Sequence, residues 1–220
     1  DGATRSLGTR RGHVASGPAE LSIARRDVEE ASDKLREAER ADSKCVRASL
    51  MQADVAMTAG AYEAAIRHLK KVEQQDVAFL SEAIGPLVES YRALGQEQAL
   101  TAHLERLCEL HAGITPVLVL SEINQQNGDT EPAKQLLIDE LVRRPTVRGI
   151  DRLVDYSAAG ASADLNEHLR LLKQFTVKLL SQKSNYACGN CGFHGRALHW
   201  QCPGCKAWNS VKPVHGIEGE

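Results

Sequence analysis

The sequence predicts an all-α array of paired helices closed by a small four-cysteine β module. Three observations carry that prediction. Helix-forming text repeats with a period near 34 residues, glycines fall at breaks within the repeats, and two C-x-x-C pairs close the chain.

Residues 1–26 come first, and they stand apart. They hold five Arg, four Gly and one Pro without an apolar helical stripe, so a poorly ordered or atypical segment is expected. Pro18 falls where the leading helix of a first repeat would run, at about 3 kcal/mol in a helix interior. From residue 27 the text turns to helix formers and begins to repeat. Ala31, Leu35, Ala38 and Asp42 recur 34 positions later as Ala65, Leu69, Val72 and Asp76. Gly60, Gly95 and Gly128 follow at spacings of 35 and 33, and Ala133 with Leu137 restores the small-then-large pair before Pro145. The small residue lets two helices approach, the large one four positions on packs on the same face, and the glycine tolerates the turn. A helix–turn–helix of this length with these positions is the tetratricopeptide pattern. It is degenerate here, with Leu100 near an expected Ala and no Trp in the first helices.

The pattern places a partial unit at 27–40. Helix pairs are expected at 46–58 with 62–74, 80–94 with 97–110, and 115–127 with 130–143. A further pair is expected near 147–159 and 163–181, the last helix opening at Ser162 or Asp164 and leading straight to the cysteines. The repeats thus span 27–182 and the tail module 183–220. Residues 181–187 lack the Gly/Ser/Pro bias of a flexible tether, so the module is expected to dock on the last helices.

The tail carries the chemistry. Cys188, Cys191, Cys202 and Cys205 are spaced C-x2-C-x10-C-x2-C, and two such pairs form knuckles whose thiolates close a tetrahedron around one ion. The ion is iron or zinc, one per chain, because four-thiolate tetrahedra accept either. Gly189, Gly192 and Gly204 are expected to ease the bends. His194 and His199 lie inside the hairpin and are expected beside the site more than in it. Tyr186, Phe193, Trp200 and Trp208 are four of the chain's nine aromatic residues, a small core for a module too short to fold without metal. Cys45 and Cys108 stand alone in helical text and read as core thiols.

Composition narrows the function classes. Hydrophobic residues at 42% and charged residues at 25% fit a chain that buries a core, and the net charge of -2 offers no basic field for nucleic acid. Residues 181–220 carry four Lys/Arg against two acids, too sparse for a phosphate-binding patch. No run approaches the ~18 apolar residues of a membrane span, and no signal peptide is visible. The chain begins at Asp1, which reads as a fragment or a processed product. No G-x-G-x-x-G, P-loop, G-x-S-x-G or H-E-x-x-H occurs, so no catalytic set is expected.

Helical repeats ending in CGNCGF and then HWQCPGCKAWNSVKPVHG resemble the lipopolysaccharide assembly protein B family, as does Arg143-Arg144-Pro145-Thr146-Val147-Arg148. The resemblance covers roughly residues 27–220. It implies an all-α tetratricopeptide-like helical solenoid with a small C-terminal rubredoxin-like/zinc-ribbon β module, and it places the family's metal thiolates on Cys188, Cys191, Cys202 and Cys205. It further implies a non-enzymatic adaptor at the cytoplasmic face of the bacterial inner membrane. Such an adaptor restrains lipopolysaccharide synthesis by promoting degradation of the committed lipid A deacetylase by a membrane-bound AAA+ protease. Other lipopolysaccharide-assembly proteins or lipopolysaccharide itself are further expected partners. The family's N-terminal membrane anchor and earliest repeats are expected to be missing from this chain. Two other classes compete on the residues alone: electron transfer by a single four-thiolate iron, and nucleic-acid binding through a zinc ribbon.

Overall fold

The computed structural model describes residues 12, 13, 16, 17, 19, 28–111, 113–158, 161–217 and 219. Among them are nine α-helices: α1 (Val28–Ala41), α2 (Val46–Thr58), α3 (Tyr62–Gln75), α4 (Leu80–Ala93), α5 (Glu97–Leu110), α6 (Ile114–Gln126), α7 (Thr130–Arg143), α8 (Val147–Ala158) and α9 (Ala163–Gln182). They fall on the expected segments to within a residue or two, with a 3-10 turn at Val77–Phe79 before α4.

The repeat is written into the backbone as well as the sequence. Gly60, Gly95 and Gly128 end α2, α4 and α6 at φ of +71, +64 and +91. Each glycine amide bonds back three residues, to Met57, Arg92 and Gln125. The next amide bonds back five, from Ala61 to Ala56, Gln96 to Tyr91 and Asp129 to Asn124, at 2.8–2.9 Å. This paired arrangement satisfies the last carbonyls of a helix and turns the chain into its partner helix. Three copies at equivalent positions make these helix pairs one repeated unit.

The small-then-large positions form the core, as the packing argument requires. Ala31, Leu35, Ala38, Ala65, Leu69, Val72, Ala133 and Leu137 are all buried, and so are Leu100, Leu104 and Leu107 of the degenerate unit. Truncating any of these leucines to alanine removes about 2–5 kcal/mol. Cys45 is fully buried beside Ser16, and burial pushes its thiol up. Cys108 is half-buried, and burial, with Glu140 and Glu105 behind it, pushes it up to about 12. Neither is a reactive thiolate at neutral pH.

The chain divides into two compact units. The first runs to Leu100 and includes Cys188–Phe193 and Leu198–Lys212; the second is Thr101–Ala187 with His194–Ala197 and the chain from Pro213 onward. In the first, Ala19, Ala31, Leu35, Ala38, Cys45, Ala48 and Val55 form one cluster. Gly12, His13, Ser16, Gly17 and Ala19 are helical, and His13, Ser16 and Ala19 are fully buried, so these positions pack where no packed helix was expected. The reason is that Gly12, Ser16 and Ala19 make a face of small residues instead of large apolar ones. A Cβ on Gly12 would meet the Asp42 Cβ at 2.7 Å. The rest of the expected 1–26 segment lies outside the described residues.

In the second unit, Ile114, Val117, Leu118, Ala133, Leu137 and Tyr156 form the core, with Cys108, Leu136 and Leu153 against it. Strand β1 (Tyr186–Cys188) pairs antiparallel with β2 (His194–Gly195), Tyr186 opposite Gly195, in a three-stranded sheet of order β2-β1-β3 with β3 at Val211–Pro213. The Arg196 guanidinium donates to the Ser181 carbonyl at 2.8 Å, and the Val147 amide donates to the Ile217 carbonyl at 2.8 Å. These bonds tie the hairpin tip and the chain end to α8 and α9. Among the described residues, no helix is long and apolar enough to cross a membrane.

Candidate metal centre

The two C-x-x-C pairs fold into knuckles of the same design. In the first, the Cys188 amide donates to the Phe193 carbonyl at 2.7 Å and the Gly192 amide to the Cys188 carbonyl at 3.0 Å. In the second, the Cys202 amide donates to the Ala207 carbonyl at 2.9 Å and the Lys206 amide to the Cys202 carbonyl at 3.0 Å. The residue after each second cysteine is left-handed, Gly192 at φ +73 and Lys206 at φ +62. Only Gly192 of the three tail glycines therefore serves by φ. Gly204 sits against the sulfurs, and a Cβ there would touch the Cys191 sulfur at 3.4 Å, an ordinary contact. Gly189 has ordinary space and an ordinary φ.

The knuckles bring four sulfurs together. Sγ of Cys188 lies 3.8 Å from Sγ of Cys205, Sγ of Cys191 lies 3.6 Å from Sγ of Cys202, and all four are within 4.8 Å of one another. A metal about 2.3 Å from each of four tetrahedral sulfurs sets them about 3.8 Å apart, so the set fits such an ion. Burial is unequal: Cys188 and Cys202 are buried, Cys205 is half-buried and Cys191 exposed.

The surroundings favour negative sulfur at some positions. The Ser210 hydroxyl, 3.3 Å from its sulfur, holds Cys188 down at about 6, helped by the Cys191 and Asn190 amides. The Asn190 side chain lowers Cys205, followed by the Ala207 amide. At Cys191 the Phe193 amide lowers the thiol, yet partial desolvation and three neighbouring thiols outweigh it and push it up to about 11. Each sulfur must be deprotonated to bind an ion. His194 is exposed in β2, and His199 meets the edge of Phe193 at 5.8 Å; neither joins the sulfur cluster.

The module rests on a seat that sequence reading missed. The Trp200 ring lies 5.4 Å from Phe79 and 5.6 Å from His13, while Trp208 stacks on His13 at 5.5 Å. Lys212 Nζ lies 2.6 Å from Asp76 Oδ2 and 5.7 Å from the centre of the Phe79 ring. Phe79 is fully buried at the 3-10 turn. Docking on the last helices was expected, and it holds for Arg196 and Ile217; the knuckles and both tryptophans pack with the first unit instead. The aromatic count of the tail hinted at a seat, but nothing local to Phe79 did.

Comparison with known proteins agrees with this geometry. Residues 186–213 match the family model described as Rubredoxin metal binding domain. Lipopolysaccharide assembly protein B of Escherichia coli K12 is 31% identical over 198 residues, covering 90% of this chain and 51% of that protein. The protein of the same name from Haemophilus influenzae Rd is 31% identical over 175 residues, covering 79% and 44%. The chain spans about half the length of the curated relatives it matches. Among solved structures, the MamA protein is similar at a TM-score of 0.41 and 18% identity, over 81% of this chain and 88% of that one. A thermophilic TPR protein of Thermus thermophilus is similar at 0.39 and 16%, over 76% and 99%. Over 90% of its length the chain is thus similar to proteins named lipopolysaccharide assembly protein B, and its residues 186–213 match a rubredoxin-type metal-binding domain.

Proposed function

We propose that this chain is the partner-holding part of a non-enzymatic adaptor in lipopolysaccharide assembly. In this reading it promotes proteolysis of the committed lipid A deacetylase by a membrane-bound AAA+ protease at the cytoplasmic face of the inner membrane. The observation that carries it is the 31% identity over 90% of the chain to proteins named for lipopolysaccharide assembly. The form of the chain supports it. Repeated helix pairs offer long surfaces for protein segments. A second ordered module on the same chain lets one molecule hold protease and substrate together and raise their effective concentration.

The metal in this reading is structural. One iron or zinc ion held by Cys188, Cys191, Cys202 and Cys205 cross-links two knuckles and leaves no open position for a substrate. Asn190 and Ser210 favour the thiolates, and Trp200 and Trp208 fasten the cross-linked module to Phe79 and His13. The test is the lifetime of the deacetylase in cells depleted of the full-length protein. It should lengthen, lipopolysaccharide should accumulate, and intact protein should restore both where the Cys188→Ser variant does not. An unchanged lifetime on depletion overturns the adaptor reading.

A further inference from the structure

Helix α9 closes the helical array, and its outer side is not that of an ordinary closing helix. Terminal repeats of solenoids usually present a polar outer face. One side of α9 does meet α8: Thr176 is buried and donates from Oγ1 to Asp151 at 2.6 Å, while Lys173 lies 2.8 Å from Asp151 and 2.6 Å from Asp155. On another side Leu165, Leu171, Leu172, Phe175 and Leu179 are each between 46% and 59% exposed. At about 100° per residue these five lie within one third of the helix circumference. From Leu165 to Leu179 the stripe runs about 21 Å. Exposed Asp164 and His168 share that third, so the stripe is largely but not wholly apolar, and a surface of this kind marks an interaction site.

The placement of charge along one edge of the stripe says what fits it. Glu167 stands on that edge in the first half of the helix and Lys178 in the second, while Asp164 lies just inside it. All three are exposed. About Leu172 the pattern is nearly symmetric: Leu165 and Leu179 are seven residues to either side, Glu167 five before and Lys178 six after. An antiparallel copy of the same helix, crossing at Leu172, therefore sets Leu165 on Leu179 and Glu167 beside Lys178, twice over. This is the self-complementarity that a two-fold interface requires. An anionic lipid surface fits less well, because the acids at and just inside that edge repel it and Lys173 is already neutralised by two aspartates. We infer that the exposed stripe of α9 is a homodimer surface, on which two copies pair antiparallel about Leu172 with Glu167 of each against Lys178 of the other.

The test is sedimentation equilibrium of the 220-residue chain from micromolar to sub-millimolar concentration, with three variants. The parent should show a reversible monomer–dimer equilibrium. Leu172→Glu places two like charges at the dyad and should weaken it at least about 100-fold. Because Leu172 is half exposed, this variant should keep the parent's circular dichroism and melting; Phe175→Gln gives a second, milder probe of the same stripe. Glu167→Lys should weaken the dimer severalfold, and the charge-swapped Glu167→Lys/Lys178→Glu double variant should recover it. A parent that stays monomeric at every concentration overturns the inference. So does a dimer indifferent to Leu172→Glu and Phe175→Gln, or a charge swap that fails to recover. In a parallel arm, a monomeric parent that floats with phosphatidylethanolamine/phosphatidylglycerol vesicles, and loses that with Leu172→Glu, overturns it in favour of a lipid surface.

Discussion

Lys212 Nζ lies 2.6 Å from Asp76 Oδ2, joining residues 136 positions apart at the foot of the metal module. The two partners are not equivalent. Asp76 also accepts from the Ala78 amide at 3.1 Å, capping the 3-10 turn that carries Phe79. Both side chains keep some exposure, so the ion pair itself is worth less than about 1 kcal/mol. Lys212→Ala should therefore cost about 0.2–1 kcal/mol, and Asp76→Ala about 1–2 kcal/mol because the cap is lost as well. Chemical denaturation of the two single variants and the double variant checks this. Equal costs for Asp76→Ala and Lys212→Ala would remove the cap from the account.

Phe79 is the apolar half of the same seat. It is fully buried, and Trp200 stacks on it at 5.4 Å. Phe79→Ala should cost about 3–5 kcal/mol. The chain's two tryptophans are Trp200 and Trp208, so intrinsic emission reports the tail alone. It should shift to the red in Phe79→Ala as water reaches Trp200. Val77→Ala, two residues away at an exposed position, should leave both stability and emission near the parent. Unshifted emission in Phe79→Ala would mean the tail does not depend on this contact.

The repeats were legible because their signal is local. Ala31 and Leu35, or Ala65 and Leu69, sit four apart on one helix and define its buried face without reference to any distant residue. The knuckles were legible for the same reason, since cysteines three apart dictate the turn whether Gly192 or Lys206 follows the second. The seat was not legible. Phe79, Asp76 and His13 meet the tail across more than a hundred positions, and no periodicity reports such a meeting. The helical residues around Gly12 were missed because Gly12, Ser16 and Ala19 are small and make no large apolar stripe. Gly189 was over-read: it was expected to ease the bend between two cysteines, and its φ is not one that needs a glycine.

His13 gives the fold a pH dependence with a definite sign. Burial, then the Arg47 guanidinium, holds it down at about 4, against an ordinary value of 6.5. Between those values the unfolded chain binds a proton that the folded chain refuses. The stabilisation is complete above pH 6.5 and is lost as pH falls toward 4, amounting to about 2 kcal/mol between pH 7 and pH 5. His13→Phe keeps a ring against Trp208 and cannot titrate. Urea unfolding at both pH values should show the parent losing about 2 kcal/mol more than the variant. Parallel losses in the two proteins would show that His13 is not held neutral.

The metal centre should govern the tail and leave the helices standing. Cys202 is the most enclosed of the four thiols, at the start of the second knuckle, where its amide also closes the turn onto Ala207. Cys202→Ser keeps the turn's amide and removes one thiolate, so the variant separates metal binding from backbone geometry. With three thiolates left the tetrahedron is open, and affinity should fall steeply. The parent should hold one ion per chain, with about four sulfur ligands by X-ray absorption. A red protein would contain iron and a colourless one zinc. The variant should purify with far less metal, and limited proteolysis should cut it between residues 183 and 215. The repeats should resist, because Leu35, Leu69 and Leu137 are buried among helices that hold no part of the metal site. Chelation of the parent should reproduce the same cuts. An intact tail in Cys202→Ser, or two or more nitrogen or oxygen ligands in the parent, would mean that the four thiolates do not hold this module together.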